Sequence, residues 1–324
     1  MGWQGMAPAV WMLDEEWPEH GFEQQFFLDR GVEFRASTET TLNSDWRQFG
    51  VGATALIAQV GFPLSTDLLE QLRQVRGIVV PGVGYDHIDL AWARAHGMSV
   101  SHIPDYCTEE VAEHTLALIL FYLRNLGLMD REVREGTWQP LRYLNNRRAQ
   151  ESVIGLVGLG RIGGRVTQKA RSLGFRVLAY DPYVGSDYMK GLGVEGTSLE
   201  LLMAQSDYVS IHVPLTKETR GMISSQRLSL MKPTAVFLNT ARSNVVDQMA
   251  LFGLLESGRI RGAGLDVFDE EPLPFRSQWL ALPNVLLTPH AAYVTSGAVN
   301  ELRRKTCEEA LRIINGEAIR HPVS

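Results

Sequence analysis

Three side chains that could bind and protonate a small acid follow three successive apolar runs late in the chain. Arg242 follows TAVFLNT, Glu271 follows GAGLDVF, and His290 follows NVLLT. The carboxyl ends of parallel strands lie at one edge of a sheet, so these side chains are expected to meet in one crevice. Each also has a purely structural interpretation, as a helix cap, a solvated acidic loop and a turn residue. Their recurrence at three strand ends favours the functional interpretation.

The three residue types suit the reduction of a 2-keto acid. Arg242, always charged and able to bind in bidentate fashion, would hold the substrate carboxylate and polarise its carbonyl. His290 would donate a proton to the carbonyl oxygen and, in the reverse direction, take one from a hydroxyl. Glu271 would hydrogen-bond the imidazole, orient it and stabilise its charged form.

A glycine-rich turn indicates where the hydride carrier binds. In GLVGLGRIGGRV, residues 155–166, the glycines Gly158, Gly160 and Gly163 follow an apolar run and open a helical pattern. They would allow a tight turn, close approach to a pyrophosphate and close helix packing, although such turns also serve packing alone. Asp181, 18 residues after Gly163 at the next strand end, could accept hydrogen bonds from both hydroxyls of an adenosine ribose. That acid would repel a 2′-phosphate, so NAD is favoured over NADP.

Two further groups are candidates for ligand contacts. Asp266, at the end of its own strand, lies where it could accept a hydrogen bond from a nicotinamide amide. Upstream, Pro81-Gly82-Val83-Gly84 forms a glycine-bounded turn at a strand end. The N–H groups of Val83 and Gly84 could take the other face of the substrate carboxylate, the alternative being a turn needed only for chain reversal.

The elements that would position these residues alternate between strand and helix. From Ser152 onward six apolar, β-branched runs alternate with helical patterns at 161–173, 198–206, 224–231 and 248–257. This alternation predicts a doubly wound, Rossmann-type parallel sheet with helices on both faces. The apolar run LALILFYL, 116–123, belongs to a helix over about 108–125 and is too short to span a membrane.

A smaller α/β unit precedes this sheet. Five apolar runs (AVWMLD, GVEFRA, ATALIAQV, GIVVPGVG and MSVSHIP) predict a flavodoxin-like sheet, and a terminal helix around 300–314 is expected to return to it. We therefore predict a substrate-binding domain from residues 1–103 and 293–324, an NAD-binding domain from residues 104–292, and a cleft between them.

Composition excludes several partners. The chain has 324 residues, a formal net charge of -6 and 45% hydrophobic residues, so it lacks the basic excess of a nucleic-acid binder. No segment predicts a membrane span or a secretion signal. Cys107 and Cys307 lie 200 residues apart, without metal-ligand spacing, which fits a reducing compartment. We expect a cytoplasmic protein with no metal site.

The motifs together resemble the D-isomer-specific 2-hydroxyacid dehydrogenases. They include GVGYDHIDL, VAEHTLALIL, VGLGRIGGRV, YDPY, HVPLTKETRGMI, LNTARSNVVD, GLDVFDEEP and TPHAA. The resemblance implies catalytic Arg242, Glu271 and His290. It also implies a homodimer built through the nucleotide domain, helped by the long helix over about 108–125 and the segment 136–144. It further implies NAD contacts at Gly158, Gly160, Arg161, Ile162, Gly163, Asp181, Val213, Pro214, Thr219, Thr240, Ala241, Asp266 and Ala292.

Within the family, the chain looks like the branch of phosphoglycerate-dehydrogenase-like enzymes and relatives of the C-terminal-binding proteins. It departs at Ser243-Asn244, where glycines often follow the arginine, and at Tyr293, where the C-terminal-binding proteins carry tryptophan. We expect an NAD-dependent oxidoreductase that interconverts a 2-keto acid and a D-2-hydroxy acid. An NAD(H)-sensing, corepressor-like binding protein on the same scaffold remains the alternative.

Overall fold

The computed structural model describes residues 7–62 and 64–323. The chain divides into two compact units. Unit 1 is Met1–Tyr106 with Thr295–Ser324, and unit 2 is Cys107–Val294. The junctions at 106/107 and 294/295 lie three and two residues beyond the predicted domain boundaries at 103/104 and 292/293.

Unit 1 contains a five-stranded parallel sheet. Its strands, in the spatial order β2-β1-β3-β4-β5, are β1 (Ala9–Leu13), β2 (Glu33–Ser37), β3 (Ala55–Ala58), β4 (Gly77–Val80) and β5 (Ser99–His102). Its helices are α1 (Gly21–Leu28), α2 (Leu42–Gln48), α3 (Thr66–Gln71), α4 (Leu90–Ala95) and the terminal α12 (Ser296–Asn315). This is the flavodoxin-like strand order. The structure thus confirms the fold class predicted for the smaller unit.

The terminal helix α12 belongs to unit 1 because it packs on β3 and β4. A Cβ added at Gly77 of β4 would lie 2.9 Å from Ile313 Cδ1, so glycine lets the helix approach the sheet closely. Arg303 of α12 also binds the fully buried carboxylate of Glu23 in α1 (2.6 Å) and the exposed carboxylate of Glu19 (2.7 Å). Burial of Glu23 is tolerated because its charge is paired.

Unit 2 contains a seven-stranded parallel sheet in the order β12-β11-β10-β9-β6-β7-β8. Its strands are β6 (Val153–Val157), β7 (Arg176–Tyr180), β8 (Glu195–Gly196), β9 (Tyr208–Ile211), β10 (Val236–Asn239), β11 (Gly262–Leu265) and β12 (Val285–Leu287). Its helices are α5 (Thr108–Leu123), α6 (Leu126–Arg134), α7 (Arg161–Ser172), α8 (Ser186–Gly191), α9 (Leu199–Gln205), α10 (Ser225–Ser229) and α11 (Gln248–Glu256). The doubly wound order confirms the Rossmann-type fold class.

The sheet of unit 2 is buried on both faces, because successive residues of each strand pack on opposite sides. In β10, Val236 and Leu238 join the core beneath α5 and α7, whereas Phe237 joins the core beneath α9 and α11. This explains the nearly continuous apolar runs in the sequence. None of the helices in residues 7–62 and 64–323 is long and apolar enough to cross a bilayer.

The sequence predicts six strands in this unit, and the structure adds β8. This edge strand has only two residues, Glu195 and Gly196, and both are exposed. Neither the length nor the burial is sufficient to produce a readable apolar pattern. The short helix α8 was missed for the same reason.

Candidate active site

The predicted site residues of unit 2 follow the carboxyl ends of its strands. Because all seven strands are parallel, these ends lie along one edge of the sheet. After β6 comes the glycine turn, after β7 Asp181, after β10 Arg242, after β11 Asp266 and after β12 His290. Such an edge is where open α/β sheets bind ligands, at the point where the strand order reverses.

The glycine turn fits a dinucleotide. Gly158 has φ +99°, and a Cβ there would lie 2.9 Å from the backbone of His212. A Cβ at Gly163 would lie 2.2 Å from the carbonyl oxygen of Gly158, so α7 could not begin so close to the turn with any larger residue. By contrast, a Cβ at Gly160 would meet no atom within 4 Å among residues 7–62 and 64–323 other than its own chain neighbours, which leaves open space beside the first turn of α7. The unpaired N–H groups of that first turn, which include those of Arg161 and Ile162, suit a pyrophosphate.

Asp181 ties the glycine turn to the end of β7. One carboxylate oxygen accepts the N–H of Leu159 at 2.8 Å, and the other accepts the N–H of Tyr183 at 2.9 Å. A carboxylate offers about four acceptor positions, so two remain for the hydroxyls of a ribose. The role of Asp181 toward the cofactor stays a prediction.

The loop after β9 closes the other side of the turn. Val213 packs against Gly158, because a Cβ on that glycine would lie 2.9 Å from Val213 Cγ1. Further along, the Thr219 hydroxyl donates to the carbonyl of Pro214 at 2.6 Å and so fixes the bend of the loop. Val213, Pro214 and Thr219 therefore shape the turn whether or not each of them contacts a ligand.

Glu271 and His290 form a hydrogen-bonded pair. Nδ1 of His290 lies 2.6 Å from Oε2 of Glu271, and about a third of each side chain is exposed. The other carboxylate oxygen accepts the N–H of Phe268 at 2.7 Å. Burial acts to raise the pKa of Glu271, but the hydrogen bond from His290, the Phe268 N–H and the charge of Arg242 outweigh it and lower that pKa. Glu271 is therefore ionised near neutral pH, and Nε2 of His290 is left for a ligand.

Arg242 follows β10 in extended backbone, with φ -146° and ψ 137°, directly before the short helical turn Ser243–Val245. Its Nη1 donates to the carbonyl of Ala241 at 2.9 Å. Its positive charge helps to lower the pKa of Glu271, so the two side chains share one electrostatic environment. Thr240, just before, lies with its hydroxyl 3.3 Å from that of Thr115 in α5.

Asp266 holds the loop that carries His290. Its fully buried carboxylate accepts the Thr288 hydroxyl at 2.5 Å and the N–H groups of Ala291 and Ala292, both at 2.9 Å. His290 lies between these contacts with φ 53°, a left-handed conformation that non-glycine residues adopt rarely. The predicted hydrogen bond of Asp266 to a nicotinamide amide stays a prediction, and the structure adds this second task.

Sequence reasoning assigned no role to Thr288 or to His114, which flank Asp266. Nε2 of His114 lies 3.2 Å from the Thr288 hydroxyl and 4.0 Å from Asp266 Oδ1. The signal available was weak. Thr288 stands two residues before His290, and His114 lies on α5 beside the apolar run 116–123, so neither position indicates a role until the elements are packed.

The predicted substrate-binding turn of unit 1 follows β4. Nδ1 of His102 lies 2.8 Å from the carbonyl oxygen of Val83, and the Gly82 carbonyl accepts the N–H of Ile103 at 3.0 Å. Within residues 7–62 and 64–323, the N–H groups of Val83 and Gly84 donate to no protein acceptor. These two N–H groups are therefore available for an anion.

Taken together, the sheet order, the glycine turn and the acid at the next strand end define a dinucleotide-binding α/β protein. The profile described as "D-isomer specific 2-hydroxyacid dehydrogenase, NAD binding domain" matches residues 116–292. The chain belongs to the D-isomer specific 2-hydroxyacid dehydrogenase family, and its cofactor is NAD.

Named relatives cover most of the chain. A glyoxylate reductase of Korarchaeum cryptofilum is 39% identical over 319 residues, which are 96% of this chain and 94% of the relative. The structure of a D-lactate dehydrogenase from Aquifex aeolicus, solved with NAD and lactic acid, superposes with a TM-score of 0.87 at 32% identity. The match covers 95% of this chain and 96% of the Aquifex chain. A D-3-phosphoglycerate dehydrogenase of Methanocaldococcus jannaschii is 33% identical over 273 residues, and this chain spans about half its length (52%).

Proposed function

We propose that this protein is an NAD-dependent reductase of small 2-keto acids, which it interconverts with the corresponding D-2-hydroxy acids. The observation that carries the proposal is the pair of His290 and Glu271, 2.6 Å apart, at the same sheet edge as Arg242 and the glycine turn. Relatives named glyoxylate reductase and D-lactate dehydrogenase support glyoxylate and pyruvate as the first substrates to test.

In this mechanism the protein binds the acid by its carboxylate and protonates its carbonyl. Arg242 binds the carboxylate and polarises the carbonyl. The N–H groups of Val83 and Gly84 stay the predicted anion-binding groups of unit 1. Bound NADH supplies the hydride. Glu271 holds His290 through Nδ1, so that Nε2–H donates its proton to the carbonyl oxygen, and the neutral imidazole takes the proton back during oxidation.

Turnover by the purified protein tests this function. We expect NADH absorbance to fall when glyoxylate, pyruvate or hydroxypyruvate is added. His290→Ala should lower kcat/KM by about 100-fold or more, the usual contribution of a general acid. Arg242→Ala should also lower it strongly, because the substrate carboxylate loses its charged partner. His96→Ala is the matched control, because His96 is exposed and lies in unit 1 beyond α4. Wild-type turnover that survives in both site variants would exclude the mechanism.

We also propose that the protein is a homodimer that pairs through the segment 126–144 of unit 2. Six large apolar side chains there are exposed: Leu126 (51%), Leu128 (39%), Val133 (51%), Trp138 (81%), Leu141 (73%) and Leu144 (77%). Exposed apolar groups this close together are typical of a protein interface. Light scattering should give twice the chain mass, and a double change of Trp138 and Leu141 to serine should give the single chain mass. An unchanged mass would reject this interface.

A further inference from the structure

Asn239, the last residue of β10, makes two hydrogen bonds to the residues that follow it. Its side chain is completely buried. Nδ2 donates to the carbonyl of Arg242 at 2.9 Å, and Oδ1 accepts the N–H of Ala241 at 3.0 Å. The amide therefore binds both ends of the Ala241–Arg242 dipeptide, in the bend that leads from the strand to the predicted substrate-binding arginine.

The Arg242 side chain returns to the same bend. Its Nη1 donates to the carbonyl of Ala241, the residue whose N–H is held by Asn239. The backbone on both sides of the Ala241–Arg242 peptide bond is thus anchored to one buried amide, and the guanidinium is anchored to that backbone. A shift of the Asn239 amide would move the backbone from which the guanidinium extends.

Asparagine at this position is not explained by strand formation. It is a poor strand former, and a buried amide is costly unless each of its polar atoms is paired. Here both atoms of the amide pair with backbone groups where the sheet ladder ends, and both contacts lie within three residues of the strand. A small apolar residue would leave the Ala241 N–H and the Arg242 carbonyl without these partners.

We propose that Asn239 is a positioning residue that holds Arg242 in the orientation needed to bind the substrate carboxylate. This inference rests on the proposed function, because it assumes that Arg242 binds a keto acid. Asn239 itself touches neither the substrate nor the proton that is transferred. Its removal therefore weakens substrate binding through Arg242. It disturbs the nucleotide site less, because only Thr240 and Ala241 of the predicted NAD contacts lie in this bend.

The experiment compares Asn239→Ala with Asn284→Ala. Asn284 directly precedes β12 and so lies at the amino-terminal ends of the strands, opposite the site. Its Nδ2 also donates to a backbone carbonyl, that of Leu255, at 3.1 Å. We expect Asn239→Ala to raise the KM for the keto acid by about tenfold to 100-fold, the range expected for a misplaced binding group, with kcat less affected. The Kd for NADH, measured by fluorescence quenching, should rise by a smaller factor than this KM, because Thr240 and Ala241 are only two of the predicted NAD contacts. Asn284→Ala should change neither constant.

A double variant separates positioning from general support of the fold. In an Arg242→Ala background, Asn239→Ala should cause no further loss of kcat/KM, because its effect passes through the missing guanidinium. A full additional loss, an unchanged KM in the single variant, or a rise in the Kd for NADH as large as the rise in KM would each overturn the proposal. If wild type turns over no keto acid, the proposed function fails instead. A crystal structure of Asn239→Ala then decides the inference, which is rejected if Arg242 superposes on wild type.

Discussion

The strand-end histidine His212 should make the protein sensitive to mild acid. His212 follows β9 beneath the glycine turn, with Nε2 2.9 Å from the Ser210 hydroxyl. Burial lowers its pKa from 6.5 to about 4. The unfolded chain therefore binds a proton at a higher pH than the folded chain does. It follows that the contribution of neutral His212 to the free energy of unfolding is fully present above pH 6.5 and is lost as the pH falls from 6.5 toward 4.

The size of this effect follows from the two pKa values. The full difference corresponds to about 3 kcal/mol, at about 1.4 kcal/mol per pKa unit. Between pH 7 and pH 5 the linkage relation gives about 2 kcal/mol. His212 is of intermediate exposure, which weakens the desolvation, so we expect about 1 to 2 kcal/mol of the free energy of unfolding to be lost.

The assay is urea unfolding followed by circular dichroism at pH 7 and pH 5. His212→Gln keeps a side-chain amide that can face Ser210 but removes the titrating group. The wild type should lose about 1 to 2 kcal/mol more than His212→Gln between the two pH values, because the shared carboxylate titrations cancel in the difference. The exposed His96 provides the control, since His96→Gln should retain the wild-type loss. Equal losses in wild type and His212→Gln would refute the argument.

Three further predictions address packing and the site. Gly163→Ala should unfold at a lower temperature and bind NADH at least about tenfold more weakly, because its Cβ would lie 2.2 Å from a carbonyl oxygen. Gly160→Ala should weaken NADH binding without lowering the melting temperature. Equal melting temperatures of the two variants would contradict this prediction. Asp266→Asn should lower kcat about tenfold, because Asp266 would lose one of its three hydrogen bonds to the loop 288–292 that carries His290. An unaltered kcat would show that these hydrogen bonds do not position His290. Arg303→Met should lower the free energy of unfolding by about 3 kcal/mol or more, because it leaves the buried Glu23 unpaired. Arg304→Met breaks the more exposed pair with Glu308 and should lower it by less than about 0.5 kcal/mol. Urea unfolding of the two arginine variants measures this difference, and equal costs would show that burial of the glutamate is unimportant.

Much of the fold could be predicted because its strands and helices produce local patterns of apolar residues in the sequence. The buried strands of unit 2 appear as apolar runs, since helices cover both faces of the sheet. Helices α7, α9 and α11 were predicted to within one or two residues at each end. The two-residue β8 and the short α8 were not, because a periodicity needs more residues than these elements have.

The sequence by itself determined which residues stand at the strand ends, because Arg242, Asp266 and His290 follow their strands directly along the chain. The tertiary structure alone decided which atoms meet. The pairing of Glu271 with His290 was expected from the sequence, whereas the contact of the buried Asn239 amide with Arg242 and the hydrogen bonds from Ala291 and Ala292 to Asp266 were not. Spacing along the chain fixes the face and the end of an element. Contacts across loops depend on how the chain bends after each strand, and that bend is set by hydrogen bonds and packing between residues far apart in sequence.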